Sequence, residues 1–296
     1  MRGMSWIAAA LVSAGLSASV DATESFGPMP ARPAAHSFTV GKLNLTSLHD
    51  AQYVTANDGN AFGVGIDTGS MSDLLRAANA PTDRITLSVN ALLVRTGHRL
   101  LLIDTGLGPK LHGGLLASLQ EAGVKPATVT DVLVTHSHGD HVGGLLDADG
   151  HLAFPKATIR MASAEWAWLQ MRGPAELVKT ISNRVRTFEP GAQIAPGVAS
   201  VALKGHTPGH VGYEITSGGE RLLDIGDLAH SSIVSLEKPQ WRVAFDNDDA
   251  VSKATRSTTL KQLAGDHELV FSPHFPFPGV GHIEVVGDGF AWKPTP

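Results

Sequence analysis

The chain has 296 residues, 43% of them hydrophobic and 17% charged, with a formal net charge of −5. That length and composition suit a globular protein whose core needs no covalent staples, and the mild acidity excludes the basic field by which proteins hold nucleic acid. Cysteine is absent, which removes disulfides, thiolate metal sites and cysteine nucleophiles, so any metal must be held by carboxylates and by the 14 histidines.

The opening stretch, MRGMSWIAAALVSAGLSASVDATESF, places Arg2 ahead of an apolar run from Trp6 to about Leu16. The run is too short to span a bilayer, and Val20 and Ala22 stand at the two positions a signal peptidase reads. We expect residues 1–22 to be a signal peptide, with Ala18 as the fallback cleavage point, and the mature protein to be periplasmic or secreted. Residues 23–36, TESFGPMPARPAAH, read as a flexible lead-in to a single domain over 37–296. No later apolar stretch is long enough for a membrane helix, so no membrane contact is expected after cleavage.

Within the domain, residues 38–40 and 43–47, 86–94 and 100–103, 212–216 and 221–225, and 282–286 and 289–292 read as β-hairpins around Gly-containing turns. Helical patterns cover 113–123, 163–171, 174–186 and 248–265. The small-residue stretch 55–70, TANDGNAFGVGIDTGS, reads as a loop lying over a site. Strands and helices mixed in this way imply a layered α/β architecture.

Five apolar runs end on a His or an Asp. The run over 100–103 ends at Asp104, that over 132–134 at a cluster of His136, His138, Asp140 and His141, and later runs at His206, Asp227 and His274. Loops at strand ends converge in layered α/β folds. His136 and His138, two apart in an irregular loop, can turn both rings to one ion, and His206 completes a three-His set that suits zinc with an open position. Asp140, His141 and His274 can hold a second ion, and Asp227, with two oxygens, can bridge the pair. Paired ions activate water at neutral pH and polarise an electrophile. Asp140 and Asp227 are therefore the expected catalytic carboxylates, Asp140 also as a proton shuttle. No Gly-x-Ser-x-Gly supports a serine hydrolase.

The order His136-x-His138-x-Asp140-His141, then His206, Asp227 and His274, resembles the metallo-β-lactamase superfamily over about residues 38–292. IDTG (103–106), THSHGDHVGG (135–144), GHTPGH (205–210) and SPHFPFPGVGHIE (272–284) carry the likeness, and LAFPKATIRMASAEWAWL (152–169) is similar to the methyl parathion hydrolase-like group that includes lactonases. The resemblance implies an αβ/βα four-layer sandwich of two mixed β-sheets flanked by helices, and two divalent ions, usually zinc. It also implies a bridging hydroxide that opens lactones or cleaves aryl esters, with organophosphate triesters as further substrates. A β-lactam or a glyoxalase II-like thioester is the alternative substrate. Three-His β-lactamases usually lack an Asp at the position of Asp227, and glyoxalase II carries a basic helical C-terminal region where this chain ends in a hairpin and WKPTP.

Asp104, His210 and His230 are expected behind the ligands, orienting them. Trp168, where the resembling group places an aromatic, is expected with Tyr53 and Phe62 in an apolar pocket wall. The partner is thus a small ester, lactone or phosphotriester; the sequence leaves a homodimer open.

Overall fold

The computed structural model describes residues 26–295, so the signal-peptide reading falls outside the described residues. Two seven-stranded sheets form, each from one continuous stretch of chain. The first holds, in both sequence and spatial order, β1 (Gly27–Val40), β2 (Leu43–Ala56), β3 (Arg84–Thr96), β4 (Arg99–Ile103), β5 (Asp131–Leu133), β6 (Thr158–Ala162) and β7 (Val185–Phe188). The second holds β8 (Gln193–Ala195), β9 (Val198–Ala202), β10 (Val211–Ser217), β11 (Glu220–Asp224), β12 (Leu269–Phe271), β13 (Val280–Val286) and β14 (Gly289–Pro294). Helices connect them: α1 (Thr68–Ala77), α2 (Leu115–Glu121), α3 (Gly139–Val142), α4 (Ser163–Arg172), α5 (Ala175–Ile181), α6 (Val234–Glu237) and α7 (Asp249–Asp266). Both sheets are mixed, with hairpins beside the parallel pairs β4/β5, β5/β6, β6/β7 and β11/β12.

Strand alternation explains the layering. In β4, Leu101 and Ile103 face the second sheet, where they meet Tyr213, Ile215, Leu222 and Phe271 in one buried cluster. Leu100 and Leu102 face the other way, toward Leu115 and Leu119 of α2. The run LLLI is apolar throughout because both of its faces are covered. On the far side, Leu260, Leu263 and Ala264 of α7 cover Leu223, Val270 and Ile283 of the second sheet. The result is helix, sheet, sheet, helix, the four-layer sandwich that the resemblance implies. Among the described residues no helix is long and apolar enough to cross a membrane.

Three expectations are corrected. Residues 27–36 are not a flexible lead-in but the first part of β1, paired with β2 from Gly27 opposite Val54. Pro28, Pro30 and Pro33 fit there because β1 is the edge of its sheet, and the register shifts between Pro30 and Ala34. The helix expected over 174–186 stops at Ile181, and Val185–Phe188 pairs in parallel with β6. The stretch 55–70 is divided between the end of β2, a turn and the start of α1, which is capped by Asp67 accepting from the Ser70 N–H. It does not line the cavity described below; Ala61 and Phe62 pack into the core beneath Val234 and Val243.

Candidate metal centre

The five strand ends β4, β5, β9, β11 and β12 meet at one edge of the sandwich and deliver Asp104, the 136–141 cluster, His206, Asp227 and His274 together. After β5 the chain runs through His136 and His138 into the single turn α3, where His141 N–H donates to the His138 carbonyl at 3.0 Å. Gly143 and Gly144 let this turn press on the 105–107 backbone: an added Cβ would lie 2.3 Å from the Leu107 carbonyl oxygen and 2.0 Å from that of Thr105.

The ligating atoms fall into two groups. His136, His138, His206 and Asp227 form one; Asp140, His141 and His274 form the other, with the atoms of each within 4.8 Å of one another. In the first group His138 Nδ1 lies 3.0 Å from His136 Nε2 and 2.9 Å from His206 Nε2. Ligands at about 2.0–2.1 Å from a tetrahedral zinc stand a little over 3 Å apart, so these nitrogens are spaced for one ion. In the second, His141 Nε2 and His274 Nε2 are 3.3 Å apart, and Asp140 Oδ2 lies 3.7 and 3.5 Å from them. Asp227 faces both groups. Its Oδ2 is 3.5 Å from His136 Nε2 and 3.2 Å from His206 Nε2, while its Oδ1 is 3.1 Å from both His141 Nε2 and His274 Nε2. That buried Oδ1 accepts no hydrogen bond from the protein. A buried carboxylate oxygen without a donor, ringed by imidazole nitrogens, fits a cation.

The opposite edge of three of the rings is held by an acceptor, which leaves the facing nitrogen for an ion. His141 Nδ1 donates to Asp104 Oδ2 at 2.7 Å, His206 Nδ1 to Asp246 Oδ1 at 3.0 Å, and His274 Nδ1 to the Ser88 carbonyl at 2.9 Å. Asp104 takes this position in the left-handed region, at φ 60°, where it also accepts from Thr135 N–H and Oγ1. Asp246 is held in turn by Arg256, whose guanidinium is fully buried and also donates to the carbonyls of Leu228 and Pro239. His210 is neutral and bridges two ligand loops: Nδ1 donates to the Leu203 carbonyl at 2.6 Å and Nε2 accepts from Asp227 N–H at 3.0 Å. Burial and the neighbouring His206 push its pKa down to about 3.

Electrostatics hold the carboxylate ionised and move the histidines in both directions. Burial favours the protonated form of Asp227, but His274, His141, His136 and His230 around it outweigh that and hold its carboxyl well below the ordinary range. Burial pulls His206 down, yet Asp227 and Asp246 raise it to about 9. His138, buried and beside His206, falls to about 4.

His138, Asp227 and His274 form the floor of a cavity of about 340 Å³, walled by Pro28, Tyr53, Leu87, Leu107, Leu111 and Phe245, with Asp140 at 26% side-chain exposure on its rim. Tyr53 is in the lining. Trp168 is not: it lies on α4, under the Arg172 guanidinium at 4.8 Å from its ring centroid. Phe62 is 3% exposed and packs behind the wall, edge-on to His230 and Phe245. His230 is itself part of the lining, with Nε2 3.2 Å from Asp227 Oδ2 and neither ring nitrogen hydrogen-bonded. Sequence reasoning missed Phe245, Asp246 and Arg256. Asp246 and Arg256 sit ten residues apart around a helix start, where an acid is ordinary as a cap and an arginine as a solvated charge.

This fold and this cluster of His and Asp define a metal-dependent hydrolase. The model of the metallo-beta-lactamase superfamily matches residues 84–274, and the chain belongs to that superfamily. Among curated proteins it is 36% identical over 116 residues to metallo-beta-lactamase domain-containing protein 1 of Xenopus laevis and 24% identical over 168 residues to metallo-beta-lactamase type 2 of Bacillus cereus. Those matches take in 39% and 53% of this chain, and 42% and 60% of the relatives' own lengths. Among solved structures, AidC, a dizinc quorum-quenching lactonase in complex with an acylated homoserine product, superposes with a TM-score of 0.83 at 29% identity, over 89% of this chain and 98% of its own. The hydrolase AbOPH of the beta lactamase superfamily superposes at 0.82 with 28% identity, over 90% and 98%.

Proposed function

We propose that this chain is a dinuclear lactonase and aryl esterase that uses two divalent ions, zinc in the first instance, with phosphotriesters as further substrates. The observation that carries the reading is Asp227, whose two oxygens face the two ligand groups separately, 3.2 Å from His206 on one side and 3.1 Å from His274 on the other. Ions held there would activate a water for attack and polarise the scissile carbonyl. The chain's own residues do the rest. Asp227 sets the separation of the two groups. Asp140, partly exposed on the rim, is placed to carry a proton between the reacting centre and solvent. Leu87, Leu107, Leu111 and Phe245 exclude water and receive the apolar part of an ester, and the Tyr53 ring shares that wall. The likeness to a dizinc lactonase over nearly the whole domain supports a cyclic ester as substrate.

The test is a panel on metal-analysed protein: acyl-homoserine lactones, dihydrocoumarin, aryl acetates, methyl parathion, nitrocefin and S-lactoylglutathione. We expect about two ions per chain, and kcat/KM for the best lactone or aryl ester at least about a hundredfold above nitrocefin, a gap of roughly 2.7 kcal/mol. One ion per metal-replete chain overturns the dinuclear reading; nitrocefin as the better substrate overturns the substrate class. Export with cleavage after Ala22 belongs to the same proposal. N-terminal sequencing should find Thr23 first in periplasmic material, and an intact Met1 in the cytosol would contradict it.

A further inference from the structure

Glu165 is fully buried in the first turn of α4, and nothing in the mechanism above uses it. Its carboxylate is saturated. Oε1 accepts from the Ser137 N–H at 2.8 Å and the Ser137 hydroxyl at 2.5 Å; Oε2 accepts from the Thr207 hydroxyl at 2.6 Å and the Gly209 N–H at 3.0 Å. A carboxylate has two oxygens and about four acceptor directions, and here all four are taken.

The donors are not scattered. Ser137 lies between His136 and His138, Thr207 follows His206, and Gly209 precedes His210, which accepts from the Asp227 N–H. One side chain therefore grips the loop on each side of the first ligand group, and the two loops come from different sheets. Gly209 shows how close the grip is: a Cβ there would lie 2.2 Å from the Glu165 backbone nitrogen. The second group, Asp140, His141 and His274, receives nothing from Glu165; Asp104 and the Ser88 carbonyl hold its rings.

We propose that Glu165 is a positioning residue for one of the two metal positions, fixing the His136/His138 loop against the His206 loop, so that the affinity of the three-His position depends on it and that of the other does not. This rests on the two-ion reading above. The chemistry requires a carboxylate. Glutamine can accept at its oxygen, but its –NH2 would face two donors already present, leaving the backbone N–H without an acceptor and forcing the hydroxyl to turn round and accept.

The experiment is stepwise zinc uptake against a competing chelator, with the ion located by anomalous diffraction at one equivalent. In Glu165→Gln one of the two uptake steps should weaken by about 10–100-fold, the loss typical when a partner that orients a metal ligand is removed. The other step should change less than about threefold, and the single ion should lie between Asp140, His141 and His274. The double variant Ser137→Ala/Thr207→Val removes the two hydroxyl donors and keeps Glu165 itself; it should weaken the same step to a smaller degree, and it carries the test if Glu165→Gln does not fold. Equal loss at both steps, or no loss in either variant, overturns the inference, because a purely structural role would lower thermal stability without separating the steps. If the wild-type chain holds a single ion, the two-ion reading fails, and the positioning role then stands only if Glu165→Gln weakens that ion.

Discussion

Replacing Asp227 with alanine removes both oxygens that face the histidine groups, and with them the carboxylate that the two groups share. Turnover should fall by orders of magnitude in a chain that stays folded, as read by circular dichroism beside initial rates; near-normal rates in a folded variant would refute the bridge. Asp246→Ala acts one bond further out. It frees the His206 ring and strands the Arg256 guanidinium, whose partner lies 2.7 Å away with both side chains fully buried. Metal affinity should drop about 10–100-fold, and unfolding stability by about 3–5 kcal/mol, the cost of a buried charge without its partner. Protons should oppose the metal at His206. Its folded pKa of about 9 means the ring is protonated at neutral pH when no ion is bound, so an ion must displace that proton. Zinc affinity should therefore rise with pH through the neutral range toward about 9, by up to about tenfold per unit. A flat profile in competition titrations would show that the proton is not there. The candidate metal ligands were legible in the sequence because metal chemistry restricts their type and crowds four of them into six positions. Glu165 was hidden because an acid two residues after Ser163 reads as ordinary helix-start chemistry, and its donors lie 28 to 44 residues away.

One carboxylate reaches both ends of the segment between β4 and α2. Asp50, in β2, accepts from the N–H groups of Leu107 and Leu115 at 2.7 and 2.9 Å, and burial pushes its pKa up to about 6 against those two hydrogen bonds. Gly106, at φ +69°, brings its backbone so close that a Cβ would lie 2.3 Å from the Asp50 carboxyl carbon. Leu107 and Leu111 of this loop wall the cavity. Asp50→Ala should cost about 1–3 kcal/mol for each of the two buried N–H groups left without an acceptor. It should also speed amide exchange across 104–115 and raise KM more than it lowers kcat; unchanged exchange there would count against the anchor. The hairpins and the five strand ends were readable because alternation and Gly turns are local signals. The edge strand over 27–36 was not, since prolines that spoil an inner strand are harmless at an edge, and edge position is a property of the whole sheet. Trp168 failed for a similar reason: helical spacing shows that an aromatic is present but not which neighbour its ring will meet.

Each ligand group draws on both sheets: His136 and His138 against His206, and Asp140 and His141 against His274. An ion in either position therefore ties the two sheets together, and its binding energy adds to folding stability. At a thousandfold excess over Kd that is about 4 kcal/mol, and for a domain of this size chelation should lower Tm by roughly 8–16 °C; an unchanged Tm would mean the sandwich does not depend on its metal. Because the first sheet is complete at Phe188 and the second starts at Gln193, the exposed Glu189–Pro190 turn divides the chain without cutting a sheet. Expressed as two polypeptides broken there, the halves would each carry an incomplete ligand set, and reassembly would follow the supply of free cation. Such a pair would work as a split reporter, its recovered activity a gauge of how much metal the surroundings can spare.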